Sequence, residues 1–368
     1  MARLLQKLAG TAPAPRKEMP SPRLGEQEFK RRYLEQFRDP AFGKLADELG
    51  RVADVAWEAY SDSRKSPVTR PAGPEFADPG YELSVDWLSA RGAVREAERR
   101  HRDEALPLRI LVINGSSRSE HTCPGETSKS YRLAAIARST LETHMGLEVE
   151  FLDLSRLASE YGRKIHPCKA CFSTAAPLCH WPCSCYPNHS LGQTQDWMND
   201  IYPMWVAAHG VMIVSPVNWY FVSSPLKLMM DRLVCADGGN PDPTLTGGKN
   251  AAKAKAVELA GWDYPRHLAG RLFSVVVHGD VEGAENARRS VSDWLRFMQL
   301  APAGPNAEVD RYIGYWQPYA TSHDELDADE DIQEEVRNAA RTLGEAVMEK
   351  RAGRYRIAGG TLDQPRQK

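Results

Sequence analysis

No stretch of the 368-residue chain approaches the ~20 consecutive apolar residues that a membrane-spanning helix needs. Net charge is nearly absent too: 47 Lys and Arg stand against 49 Asp and Glu, which gives no general pull toward nucleic acid or a membrane surface. No internal repeat is present, which argues against solenoid and propeller architectures. Acidic residues are missing from the first seventeen positions, where Arg3, Lys7, Arg16 and Lys17 stand. The apolar part of that segment is too short for a signal peptide, so a frayed basic tail is expected, with a transit-like segment as the alternative. Cysteine is scarce everywhere except one place: of seven, five lie between Cys168 and Cys185. Thiols so crowded do not form the framework of a secreted disulfide-bonded domain, and they point to the cytoplasm.

The length admits one α/β domain with extensions. Residues 1–25 are rich in proline and charge and read as a disordered lead-in. Residues 29–60 have helical spacing, interrupted near Pro40, with Phe29, Tyr33, Phe37, Leu45, Leu49, Val52, Val55 and Trp57 as expected buried positions. Pro67, Pro71 and Pro74 predict loop, and Ser84 is placed to cap a helix over 85–101 that buries Trp87, Leu88 and Val94. Residues 1–105 thus read as helical packaging without chemistry.

From residue 106 the pattern alternates. Strand-like runs at 109–113, 147–152, 210–214 and 272–277 are interleaved with helix-like patterns at 129–143, 194–208, 226–233 and 284–300. This predicts an α/β fold with a doubly wound parallel sheet of five strands, the fifth near 309–313. Right-handed crossovers bring the loops after the strands to one edge. A helix over 325–350, with Ile332, Val336, Leu343 and Val347 on one stripe, is expected to dock on the sheet. The expected units are 1–105, 106–320 with a cysteine-rich insertion at 166–190, and 321–368.

Three of the loops could carry chemistry. The first, Asn114-Gly115-Ser116-Ser117-Arg118, lacks the Gly-x-Gly-x-x-Gly spacing of dinucleotide folds and the Gly-Lys-Ser/Thr of a Walker loop. Serines with one arginine at a helix N-terminus suit a terminal monophosphate such as that of FMN, although an ordinary strand–turn–helix corner reads the same way. The second, 215–225, sets Trp219, Tyr220 and Phe221 directly after a buried strand. That arrangement fits a flat ring at the sheet's crevice, or else an aromatic plug or a subunit contact. The third runs His278-Gly279-Asp280-Val281-Glu282-Gly283, where glycine lets backbone approach a ligand and His278 is either a structural or a site residue.

These loops in this order make residues 106–300 resemble the flavodoxin-like NAD(P)H-dependent FMN reductase family. The resemblance rests on Gly115-Ser116-Ser117-Arg118, on Gly125-Glu126-Thr127-Ser128-Lys129-Ser130, and on Ser215-Pro216-Val217-Asn218-Trp219 with Lys227 and Asp231-Arg232. It implies FMN as cofactor and NAD(P)H as substrate. The phosphate would be held by Ser116, Ser117, Arg118, Thr127, Ser128 and Ser130. The ring would lie against Pro216, Val217, Asn218, Trp219 and Tyr220, and be closed over by His278, Gly279 and Asp280. It further implies a small-molecule electron acceptor and a homodimer or homotetramer, and no side chain is obliged to act as general acid. One departure is the long insertion 119–126, which puts Glu120 and Glu126 near a phosphate, unfavourable unless they turn away.

The cysteines follow Cys168-x2-Cys171-x7-Cys179-x3-Cys183-x-Cys185. Short thiolate spacing suits a [4Fe–4S] cluster or zinc, with His180 as a further zinc donor, and equally a metal-free redox pair at Cys168 and Cys171. The segment resembles the insertion of iron–sulfur flavoproteins, which implies an alternative function as an electron carrier using FMN and a cluster.

Overall fold

A computed structural model of the chain describes residues 24–122, 125–318 and 321–356. The basic segment 1–17 and nearly all of the expected disordered lead-in lie outside the described residues. The first helices, α1 (Glu26–Leu34) and α2 (Ala46–Ser61), are joined by short 3-10 turns that include Pro40–Leu45, where Asp39 caps Ala41 and Pro40 stands in the first turn. Here the burial expectation fails. Only Ala53 is buried on α2; Leu45, Val52 and Val55 are exposed, and Phe29, Tyr33, Phe37, Leu49 and Trp57 are half-buried. Helical periodicity marks an apolar face but not what covers it. The two helices cover each other mainly through the rings of Phe29, Trp57 and Tyr60, which leaves the flanks open.

The proline-rich stretch is also more ordered than its prolines predict. Thr69–Pro71 (β1) pairs antiparallel with Glu82–Ser84 (β2), a two-stranded ribbon whose edges tolerate a residue without an N–H. Ser84 caps α3 (Val85–Arg102) by accepting from the Trp87 N–H, and Trp87 and Val94 are buried as expected, with Leu88 half-buried.

The main sheet has six parallel strands: β3 (Arg109–Asn114), β4 (Glu148–Asp153), β5 (Gly210–Pro216), β6 (Leu272–Gly279), β7 (Ala301–Pro302) and β8 (Glu308–Tyr312), in the order β4-β3-β5-β6, with β7 and β8 both on the far side of β6. The expectation of five strands is corrected in one respect: the fifth position is shared. β7 pairs with Leu272–Phe273, β8 with Val275 to Gly279, and between them Pro302 and Pro305 have no N–H to offer the ladder. Every residue of β3 is buried, as befits a strand covered on both faces.

After β4 comes the short α5 (Arg156–Ser159), and one face of the sheet is covered by α3, α6 (Met198–Ala207), α7 (Ser224–Arg232) and, further along the chain, the helix Ala284–Phe297. The other is covered by α4 (Lys129–Ser139) and the helix Glu330–Arg351, whose Ile332, Val336, Leu343 and Val347 are all buried as the stripe predicted. The expected single helix over 325–350 is interrupted: Ser322–Ala328 forms one short helix, and Asp329 restarts the chain by accepting from the Ile332 N–H.

At the C-terminal end of α7 a charge pair is wholly enclosed. Both side chains of Asp196 and Arg232 are inaccessible, and the guanidinium donates twice to the carboxylate, at 3.1 and 2.5 Å, and once to the His166 carbonyl. Removing one partner strands the other charge. Asp196→Ala should therefore lose about 3–5 kcal/mol of unfolding free energy in a denaturant titration, and a loss below ~1 kcal/mol would show the pair to be dispensable. His101 and His209 stack at 4.6 Å beneath β5. Burial first, then cationic neighbours, lower His101 to about 3 and His209 to about 4. Since both lie below the ~6.5 of an unfolded histidine, their contribution is intact above that pH and is lost as pH falls toward 4. His101→Phe, which keeps the stack, should flatten the pH dependence of stability between about 6.5 and 4; a slope equal to that of the parent would contradict this origin.

Candidate functional site

β3 ends in Asn114, whose amide donates to Asp153 at the end of β4 and whose Oδ1 accepts from the Ser116 N–H at 3.2 Å. The next residue is forced to be small. The Gly115 N–H extends the ladder to the Val214 carbonyl at 2.7 Å, and a Cβ there would lie 2.9 Å from Leu226 Cδ2 and 3.1 Å from Ser215 Cβ. The Ser223 hydroxyl donates to the Gly115 carbonyl while capping α7, with Pro225 in that helix's first turn as expected. The turn is thus clamped to β4, β5 and α7 before it reaches Ser116, Ser117 and Arg118. Ser116 is buried and its Oγ accepts from the Arg118 N–H at 3.1 Å.

The chain returns as Thr127–Ser130 at the start of α4. Ser128 caps the helix by accepting from the Tyr131 N–H. Ser130, buried, shares a 2.8 Å hydrogen bond with His278 Nε2, which ties the first loop to the third across 148 residues. Burial and the nearby Lys129 hold His278 at about 4, so it is neutral at pH 7. Lys129 is the residue that sequence reasoning missed as a site member. Its ammonium donates to Ser322 at 2.7 Å, lies 6.0 Å over the Tyr315 ring, and is pushed below the usual lysine range by burial and by Arg118. Neither Tyr315 nor Ser322 could have been placed here from local sequence, because both come from beyond the sheet.

A helix N-terminus with Arg118 and Lys129 close enough to repel one another is an arrangement that an anion relieves. Glu120 turns elsewhere, toward Arg156 and His121, whereas Glu126, 3.2 Å from His323, stays near Lys129 and with Asp280 favours that lysine's charged form. Cys123 and Pro124 of that insertion lie outside the described residues. The donors present fit the monophosphate of FMN.

The second loop is a tight hairpin. Asn218 and Phe221 exchange backbone hydrogen bonds at 2.7 and 3.1 Å, which leaves Trp219 (φ 47°) and Tyr220 (φ 66°) in the left-handed region. Holding two bulky residues there costs about 1–3 kcal/mol each. Their side chains are not packed: Trp219 is 95% and Tyr220 65% exposed. That rules out an aromatic plug. Val217 is buried and its N–H donates to the His278 carbonyl at 2.8 Å, while Pro216 is half-buried and Asn218 exposed. The third loop closes on the second. A Cβ on Gly279 would lie 3.0 Å from that of Val217, and Gly283, at φ +109°, leaves no room beside the Tyr220 backbone. Asp280 is exposed on the rim. Of the other carried residues, Lys227 pairs with Asp231 on the outer face of α7, and Arg232 points away into its bridge with Asp196. A cavity of about 550 Å³ bounded by Asp86, Tyr161, Arg163, Gln195 and Trp197 has none of the three loops in its wall, so volume alone does not mark the site.

The thiols are arranged otherwise than their spacing predicts. Among the described residues, no three His, Cys, Asp or Glu side chains are arranged to hold a metal ion, so the placement of Cys168, Cys171, Cys179, Cys183 and Cys185 lends a cluster or zinc no support. His180 is no spare ligand: both ring nitrogens are engaged, with Ser184 at 2.6 Å and Thr246 at 3.1 Å. Beside the redox pair expected at Cys168 and Cys171, the structure offers Cys171 a second partner. Cys171 Sγ lies 3.3 Å from Cys185 Sγ, and Cys168 instead accepts from the Ala170 N–H. The contact with Cys185 draws the Cys171 thiol down to about 6.

The chain is similar to several flavoprotein structures: RosB with a bound riboflavin-phosphate intermediate (14% identity over 67% of this chain and 82% of that one, TM-score 0.47), a flavone reductase (18%, 68% and 66%, TM-score 0.38), and an FMN-dependent NADH-azoreductase from Bacillus anthracis in complex with FMN (14%, 64% and 99%, TM-score 0.33). Scores below 0.5 say nothing about this chain's substrate. No curated protein matches it. The sequence profile described as NADPH-dependent FMN reductase matches residues 108–310, more than half of the chain. Its span begins one residue before β3 and ends within β8, enclosing all three loops, so the chain belongs to the NADPH-dependent FMN reductase family and is an NAD(P)H-dependent FMN oxidoreductase.

Proposed function

We propose that the phosphate of FMN is held by Ser116, Ser117 and Arg118 with the Thr127, Ser128 and Ser130 turn, and that the ring lies against Pro216–Tyr220 under the His278–Asp280 loop. The observation that carries this is the convergence at one sheet edge of a helix N-terminus, two cations and a neutral, serine-bonded His278. Bound there, FMN supplies hydride acceptance from NAD(P)H and onward electron delivery to a small-molecule acceptor. The protein's part is positional. Arg118 and Lys129 offset the phosphate charge, the α4 N-terminus offers its N–H groups, and His278 keeps the Ser130 hydroxyl oriented. Val217 and Gly279 pack face to face so that backbone, not side chain, forms the wall beside the ring.

Trp219 and Tyr220 stand open at the mouth, and Trp316 is likewise 99% exposed. Aromatics left in water at a site's rim support a second subunit, or an acceptor, stacking over the opening; a homodimer or homotetramer is part of this reading. Unpaired thiols support a reducing compartment, hence a cytoplasmic location, and among the described residues no helix is long and apolar enough to cross a membrane. The alternative of an iron–sulfur electron carrier is not favoured, because the placement of the thiols lends it no support.

Arg118→Ala should weaken FMN binding by about 1.5–3 kcal/mol, roughly 10- to 150-fold in Kd by fluorescence titration. An unchanged Kd would displace the phosphate from this loop. Trp219→Ala should leave FMN affinity within about threefold yet change flavin fluorescence and the KM of NAD(P)H or acceptor. If the spectrum and both KM values match the parent, the ring does not lie beside this hairpin.

A further inference from the structure

Cys171 opens a 3-10 turn (Cys171–Ser173) and is half-buried, while Cys185 is buried in the segment facing it, and their sulfurs lie 3.3 Å apart. A disulfide needs about 2.05 Å between sulfurs, so these two thiols already stand within about 1.3 Å of bonding distance. Two lysines from distant parts of the chain converge on this pair. Lys65, shortly after the end of α2, donates to the Ser184 carbonyl, and Lys249 donates to the Leu178 carbonyl at 2.7 Å. Among the described residues neither makes an ion pair with a carboxylate, and the groups that favour their charged forms are cysteines, Cys185 and Cys183 for both and Cys171 and Cys179 for Lys249. Beside them is a cavity of about 180 Å³ lined by both lysines and by Ser184 and Tyr186, the residues on either side of Cys185.

We propose that Cys171 and Cys185 form a second redox centre, a dithiol that reduces hydroperoxides and closes to a disulfide. The half-exposed Cys171 thiolate attacks the terminal peroxide oxygen. An S–O bond forms as the O–O bond breaks, and the hydroxide or alkoxide that leaves takes a proton to give water or alcohol. The Cys185 thiolate then attacks the Cys171 sulfur, an S–S bond forms, the S–O bond breaks, and a second water leaves. Both thiols are oxidised and the peroxide is reduced by two electrons. Lys65 and Lys249 hold the thiolates and attract the departing anion. The thiols sit at the other end of α7 from the Gly115 turn: that helix runs from the Ser223 cap to Arg232, whose guanidinium lies 4.8 Å over the Tyr186 ring next to Cys185.

The test uses the full-length protein, reduced, desalted and treated with one equivalent of hydrogen peroxide. Chymotryptic cleavage after Phe172 under non-reducing conditions separates the two cysteines unless they are bonded, so mass spectrometry should find a linked pair containing Cys171 and Cys185. Cys168→Ser should keep the link, and Cys185→Ser should leave a Cys171 sulfenic acid that dimedone traps. Either thiol remaining fully alkylatable after peroxide, a link between Cys168 and Cys171 in its place, or stoichiometric iron or zinc in the reduced protein as purified would overturn the proposal.

Discussion

No side chain fits at residue 115. The glycine lies between the β5 strand end and Leu226 of α7, its N–H continues the sheet, and its carbonyl is held by the hydroxyl that also caps α7. Everything at the functional edge follows from that contact. Because β3 and β5 are neighbours whose chains lead off in opposite directions across the sheet, their ends leave a crevice between them. The Gly115 clamp sets where the turn leaves that crevice, and so where Ser116 and Arg118 stand relative to the N-terminus of α4. Ser130 and His278 then fasten the start of α4 to the end of β6. Donors held by such fixed points need little reorganisation to receive an anion.

How much of this is legible before folding depends on how local the determining physics is. The four central strands and the C-terminal helix are legible because each buries a run or a stripe whose period is written in consecutive residues, as with Ile332, Val336, Leu343 and Val347. The three loops are legible through small residues at strand ends. Pairings across the fold are not. The split of the fifth sheet position follows from two prolines whose effect depends on which strand is adjacent. The place of Lys129 depends on Tyr315 and Ser322, nearly two hundred residues on. The exposure of Val52 and Val55 depends on what fails to cover α2, which periodicity does not record.

The thiols illustrate the same limit from the other side. Spacing along the chain brings Cys168 and Cys171 within reach of one another, but the intervening backbone, with Ala170 at φ 51°, turns Cys171 toward Cys185 instead. His180, next to Cys179 in sequence, is spent on Ser184 and Thr246. A motif read as ligands is thus a cluster of neighbouring thiols in which Cys185 contacts both Cys171 and Cys183.

The central claim is that the serine–arginine turn anchors the cofactor by its terminal phosphate. The most direct measurement is a comparison, on the unmodified protein, of FMN with riboflavin, which carries the same ring without the phosphate. Fluorescence titration should give one FMN site per chain and riboflavin binding weaker by at least about tenfold, the loss of one or more charge-assisted hydrogen bonds. Equal affinities for the two, or no binding of FMN, would contradict it.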